Sequence, residues 1–350
     1  MRVQVPPPFP FPADKEPNKE LTVPLTDSNA LRELAAAFVP GVAIEEVASA
    51  SGQRVVYFCN YQPAEKPATE TDEEEESAEG DEDLDTLEAL NDFLAIPAGE
   101  VVLKISADID AASLSYLERE IGFLASIDST AFPTLYFARI FHEHPETGET
   151  LPIRYLVTIE EKIPSRPLSE CLKEFDTEAK VIDFMADVVE AMEVLWGKGL
   201  VHRDLKPPNI LIRDDGGVAI IDLGIVRLEG EKGKTATFSP WGPCTPGYCS
   251  PEQATNDKAN ITHKSDQFCI GIIAYEMLSG SNPFVTGKKS IDDKLVAVTN
   301  EDLPNLEETF GISNDLSQLI HRMLEKQPFR RVRRRNDLRD SIATLRKELK

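Results

Sequence analysis

Between residues 201 and 209 the chain reads VHRDLKPPN, and a short distance on it continues VAIIDLGIV. An aspartate (Asp204), a lysine (Lys206), an asparagine (Asn209) and a second aspartate (Asp222) thus fall close together. Carboxylates and an amide carbonyl are the hard oxygen ligands that suit a divalent cation, and a carboxylate beside a hydroxyl can take its proton. Taken singly, each residue has a plainer use: Asp204 and Asn209 suit turns, and Asp222 precedes a glycine. Taken together they point elsewhere. The runs NILI and VAII flanking the gap have strand lengths that suit a hairpin, and a hairpin would bring the four side chains to one edge.

That edge needs a scaffold, and hydrophobic periodicity supplies one. IEEVASASGQRVVYFCNY (44–61) reads as two strands around a polar turn at Gly52, and EVVLKIS (100–106) reads as a third. DAASLSYLEREIGFLASI (110–127) places Leu114, Leu117, Ile121 and Leu124 on one helical face, and TLYFARIF and RYLVTIEE (134–141 and 154–161) add two strands. From about residue 177 the period becomes helical: Val181, Phe184, Met185, Val188, Met192 and Leu195 form a stripe ending near Gly197 and Gly199. DQFCIGIIAYEML (266–278) is apolar on most sides, as a buried helix is, and helices follow around 315–326 and 336–349. A small β-rich half precedes a larger helical half.

The 350 residues carry 61 acidic against 37 basic side chains, a net charge of −24 that argues against nucleic acid as a partner. The charge is uneven. Residues 65–92 hold 14 acidic residues and one lysine, an insert between two strands that either recruits a basic partner or is a solvated spacer. RRVRRR (330–335) is the opposite extreme: it could contact RNA or phosphates, but a solvated helix face or local ion pairing is the favoured reading. The N-terminus, with PPPFPFP, favours an extended, partly disordered leader over residues 1–40. It lacks a signal-peptide core, no window is long and apolar enough for a membrane helix, and the five cysteines are odd in number without metal spacing. A cytoplasmic protein without a membrane partner is expected.

HRDLKPPN, DLG and TPGYCSPEQ resemble the signature set of eukaryotic-like serine/threonine protein kinases, over roughly residues 40 to 345. The resemblance implies an α+β, bilobal kinase fold: an N-lobe over 41–160 with one helix and an acidic insert at 62–98, and a helical C-lobe over 161–350. It implies transfer of the ATP γ-phosphate to hydroxyls of protein substrates, this chain included, with Mg2+, or Mn2+ in its place. It gives Asp204 the role of proton acceptor, Lys206 that of steadying the phosphoryl group, and Asn209 and Asp222 that of holding metal. Lys104 stands at the place of the strand lysine. Its helix partner would be Glu120 or Glu118, of which Glu120 fits better because Leu124 lies four residues on. Glu252 of SPE would pair with Arg331, or with its neighbour Arg330, and Asp266 would tie down the catalytic loop. Thr245 and Lys206 suit serine/threonine specificity, and Arg203 implies an activation segment ordered by phosphate, with Thr235, Thr237 and Ser239 as acceptors.

The departure lies in the glycine-rich loop. Aligned on VVY, the three glycine places hold Ser49, Ser51 and Arg54, with Gly52 between, so Ser51 and Gly52 would face the phosphates. A serine forced into a left-handed conformation there would cost about 1–2 kcal/mol, or roughly tenfold in nucleotide affinity. The missing glycines are the one feature favouring an alternative reading, a pseudokinase scaffold acting through its insert. GSNPFVTGKKS lacks the first glycine of a phosphate-binding loop, and HEH (142–144) lacks a third metal ligand.

Overall fold

The computed structural model describes residues 25–51, 54–63, 95–107, 119–223, 227–228 and 244–348. Strands β1 (Val42–Ser51), β2 (Arg54–Tyr61), β3 (Gly99–Ala107), β4 (Leu135–Glu143) and β5 (Thr150–Glu161) form an antiparallel sheet in the order β1-β2-β3-β5-β4. One face is apolar by strict alternation: Val55, Tyr57, Val101, Leu103, Ile105, Val157 and Ile159 are fully buried. Helix α1 (Asn29–Phe38) covers this face with Leu31, Ala35 and Phe38, and the Phe38 ring stacks on Phe141 at 4.3 Å. This helix lies inside the stretch read as a leader. Ser28 caps it, accepting a hydrogen bond from the Leu31 N–H at 3.2 Å.

Residues 119–125 are helical (α2) and pack into the second, larger core through Ile121, Phe123 and Leu124. That core is built around α3 (Glu178–Gly197) and α4 (His263–Ser279), with α5 (Ile291–Asn300), α6 (Asn314–Met323) and α7 (Arg335–Glu348) outside them. The periodic stripe read over α3 is the buried one. α4 is buried nearly all round; Thr262 and Ser265 form its capping box and Gly280 ends it at φ +78°.

Against the larger core lie β7 (Leu200–Val201), β8 (Ile210–Arg213) and β9 (Val218–Ile220), with β6 (Ser165–Pro167) pairing with β8 and β10 (Arg227–Leu228) with β7. The expected NILI–VAII hairpin is the antiparallel pair β8–β9. Among the described residues no helix is long and apolar enough to cross a membrane. The acidic run at 65–92 lies outside the described residues.

Candidate active site

The sheet's register decides what faces the other lobe. Arg54 pairs with Ser106, Val56 with Lys104 and Phe58 with Val102; Ser106, Lys104 and Val102 pair in turn with Leu156, Thr158 and Glu160. Residues directly opposite in a ladder share a face, so Arg54, Lys104 and Glu160 look together into the cleft. There they line a cavity of about 550 Å³ with Asn209 and Asp222.

The ion pairs in this cleft differ from the expected ones. Lys104 Nζ meets Glu160 Oε2 at 2.7 Å and is not paired with Glu120. Glu120, 4% exposed, accepts instead from Arg54 Nη2 at 3.1 Å. Glu160 is 3% exposed, and a carboxylate buried that deeply needs a cation. Lys104 stands two pairing positions away on the same face, and the longer, forked guanidinium of Arg54 reaches Glu120. The same guanidinium donates from Nη1 to Asp222 Oδ1 at 3.2 Å and from Nε to Ser106 Oγ at 3.1 Å.

Arg54 also alters the picture of the hairpin above the cleft. Strand β1 runs through Ser49 to Ser51, and Ser51 pairs with Arg54. Among the described residues, left-handed backbone without glycine occurs at Arg203, Asp222 and Asn256. The strain expected at Ser49 or Ser51 is therefore absent, because extended strand replaces the glycine conformation there.

Below the sheet, the loop over residues 202–209 is anchored to α4. The Asp266 carboxylate, on the helix's first turn, accepts from Trp196 Nε1 at 2.8 Å, from the His202 N–H at 3.0 Å and from the Arg203 N–H at 2.9 Å. Burial pushes its pKa up, against the pull of His202 and these donors. Arg203 sits at φ +72°, a conformation that costs about 1–2 kcal/mol outside glycine. Its N–H is held by Asp266, and its carbonyl accepts from Gln253 Nε2 at 2.6 Å. His202 Nδ1 accepts from the Asp204 N–H at 3.2 Å while Nε2 faces the Ile221 carbonyl at 3.3 Å. One imidazole so bridges the loop to the strand that leads to Asp222.

Of the four residues expected at one edge, Asp204, Lys206 and Asn209 form one network with Thr245. Lys206 Nζ donates to Asp204 Oδ2 at 2.6 Å and to Thr245 Oγ1 at 3.1 Å. Thr245 Oγ1 donates to Asp204 Oδ1 at 2.5 Å. Asn209 Nδ2 donates to the Asp204 carbonyl at 2.9 Å and to Oδ2 at 3.1 Å. The Asn209 amide nitrogen is thereby committed, and its acceptor oxygen remains for another group. Asp222, at φ +63°, stands on the cavity wall. Burial works against its charge, but the field of Arg54, with Lys104, His202 and Lys206, outweighs it and holds the carboxyl below the usual aspartate value. Leu223 of DLG is 1% exposed and fills an apolar slot in the large core.

Glu252 and Arg331 meet as a bidentate pair at 2.7 and 2.8 Å, both buried. Arg331, rather than Arg330, is thus the partner. The Ser51 backbone ends β1, while Gly52, Thr235, Thr237, Ser239 and Glu118 lie outside the described residues. Sequence reading named no site role for Arg54, Glu160, His202 or Gln253. Strand alternation carried a signal for the first two, since each falls an even number of residues from a cleft-facing neighbour. For Gln253 the signal was the capping-box spacing of SPEQ (250–253). Among the described residues no group of three or more His, Cys, Asp or Glu side chains is placed to hold a metal ion.

A five-stranded sheet carrying a strand lysine, set over a helical lobe whose loop presents Asp204 and Asn209 across from Asp222, defines the bilobal protein kinase fold. A family model described as the protein kinase domain matches residues 102–341, and the chain belongs to that family. It is 31% identical over 166 residues to serine/threonine-protein kinase PknB of Mycobacterium tuberculosis, which is 47% of this chain and 26% of that protein. It is 36% identical over 169 residues to serine/threonine-protein kinases drp72 of Corynebacterium efficiens, 48% of this chain and 31% of that one. A probable serine/threonine-protein kinase of Clostridium acetobutylicum is 27% identical over 267 residues, 75% of this chain and 37% of its own. The matched stretches therefore span well under half the length of these relatives.

Proposed function

We propose that the chain is a serine/threonine protein kinase that transfers the γ-phosphoryl group of ATP to hydroxyls of protein substrates and to its own segment around Thr235 and Thr237. The observation that carries this reading is the network at Asp204. Its carboxylate is held by Lys206 and Asn209 and already accepts a hydrogen bond from a threonine hydroxyl, Thr245 Oγ1, at 2.5 Å. An incoming serine or threonine hydroxyl in that position gives its proton to Asp204 as its oxygen bonds to phosphorus and the bond to the ADP oxygen breaks. Lys206 then compensates charge on the transferred group.

The oxygen donors of Asp222 and Asn209 fit a hard cation of the Mg2+ or Mn2+ kind, which keeps several non-protein ligands and takes one or two from the chain. Bound there, such an ion would neutralise phosphate charge. The adenine belongs beside Glu160, Glu161 and Lys162, which line the cavity where β5 leaves the sheet. All five cysteines are free, which suits the reducing cytoplasm. The scaffold alternative has little support, since Asp204, Lys206 and Asn209 are joined and Lys104 and Asp222 face the same cavity.

The test is transfer of labelled γ-phosphate from ATP with Mg2+ to a generic basic protein and to the chain itself. Label on serine or threonine, reduced by at least about 100-fold in Asp204→Ala, is expected. A folded wild-type protein that binds ATP and transfers nothing, with or without prior phosphorylation by a second kinase, would overturn the reading.

A further inference from the structure

The cleft contains a cation that the transfer chemistry above does not use. Arg54 begins β2, its side chain is 21% exposed, and it lines the same cavity as Lys104 and Asp222. Three of its five N–H groups are engaged, one each with Ser106, Asp222 and Glu120. A guanidinium keeps its charge at any ordinary pH, so Arg54 is a fixed cation of the cleft. Three carboxylates, Glu120, Glu160 and Asp222, surround two cations. Lys104 is committed to Glu160 at 2.7 Å, whereas Arg54 carries N–H groups beyond its three bonds that can turn to a polyphosphate.

The bonds of Arg54 are unequal in kind. Glu120 is deeply buried, with its side chain 5% exposed, whereas the Asp222 side chain is 48% exposed. Asp222 is also the carboxylate that a metal-bound polyphosphate would claim. Of the two, the Asp222 bond is the one that can be exchanged. A planar guanidinium whose Nη1 is so freed, and which has further N–H groups to offer, is a fork suited to phosphate oxygens. The hairpin above it runs as extended strand through Ser49 and Ser51 where three glycines would leave backbone N–H groups to cradle phosphate. The binding lost with that cradle needs another source.

We propose that Arg54 is a polyphosphate-binding residue of this cleft. It keeps Nη2 on Glu120 and exchanges its Asp222 bond for a phosphate oxygen of the nucleotide, so that a side chain does what a glycine-rich backbone would otherwise do. This rests on the nucleotide-site reading above.

The experiment is calorimetric titration of the full chain with ATP, ADP and adenosine, in Mg2+ and in its absence, for the wild type, Arg54→Ala, Arg54→Lys and Arg54→Gln. ATP affinity is expected to fall about tenfold in Arg54→Ala, the size of one charge-assisted contact. Adenosine affinity should stay within about twofold, and Arg54→Lys should recover part of the loss. Arg54→Gln, which can still hydrogen-bond Glu120 without the charge, gives the same comparison should the alanine variant not fold. Equal weakening of ATP and adenosine would overturn the proposal and make Arg54 a prop for Glu120. Tighter ATP binding on removing Arg54 would also overturn it, showing the guanidinium to be a plug on Asp222. A wild type that binds adenosine but not ATP would refute it as well. Binding of none of the three by folded wild type would instead overturn the nucleotide-site reading itself, and this proposal with it.

Discussion

Removing Arg331 should strongly destabilise the helical lobe. Its guanidinium donates to both Glu252 oxygens at 2.7 and 2.8 Å and to the carbonyls of Glu325, Lys264 and Lys326 at 2.8, 2.8 and 3.3 Å. It also lies over the Phe268 ring at 4.8 Å. The Arg331 side chain is 0% exposed and that of Glu252 3%. Truncation leaves a buried carboxylate with Ser265 Oγ, at 2.7 Å, as its remaining side-chain donor. Breaking one partner of such a pair costs about 3–5 kcal/mol, and Arg331→Met, which keeps much of the volume, belongs at the lower end of that range. The double variant Arg331→Met/Glu252→Gln removes the stranded charge and should recover about 1–3 kcal/mol of the summed single losses. Urea unfolding followed by tryptophan fluorescence reads the transition, because Trp196 sits in the same core. A loss under about 1 kcal/mol in Arg331→Met, or strict additivity in the double variant, would refute the reasoning and reduce the pair to one screened by water.

Two further outcomes concern groups around the same core. Asp266→Asn offers one carbonyl oxygen to three donors and sets an amide N–H2 against one of them. It should cost about 1–3 kcal/mol and, by releasing the left-handed Arg203, lower kcat while leaving ATP affinity unchanged, read by parallel urea unfolding and steady-state kinetics. Lys326 has its pKa lowered to about 8, by burial first and by Arg331 beside it, with Asp302 and Glu301 opposing. Between that value and the usual lysine pKa the unfolded chain binds a proton that the folded chain does not, so folding strengthens as pH rises through the interval. Relative to Lys326→Met, the wild type should gain on the order of 1 kcal/mol between pH 8 and 10, after allowance for partial solvent screening. A pH-independent difference between the two proteins would contradict this.

Much of the architecture was legible in the chain because its causes are local. The stripe over α3, the alternation in β2 and β3 and the hairpin β8–β9 follow from periods of 3.6 and 2 that neighbouring residues impose on one another. The loop from His202 to Asn209 was legible for the same reason: Lys206 and Asn209 reach Asp204 across a few residues, although Asp266 and Gln253, far along the chain, hold the Arg203 backbone that carries them. Helix α1, a ten-residue segment between prolines, is not legible in the sequence because its apolar side chains say little until a sheet face is present to cover.

What the tertiary structure alone decided is which charges share a space. Lys104 has Glu120 as a partner only if nothing nearer is buried beside it. Strand order brings Glu160 onto the same face, and Arg54 enters from the neighbouring strand to take Glu120 and Asp222. A buried ion is satisfied by the partner that geometry puts within about 3 Å, and sequence distance has no part in that choice. Spacing along the chain therefore determined the candidate site residues and the fold that carries them. The pairing of the cations in the cleft, and with it the role open to Arg54, came from register and burial, which exist only once the strands are side by side.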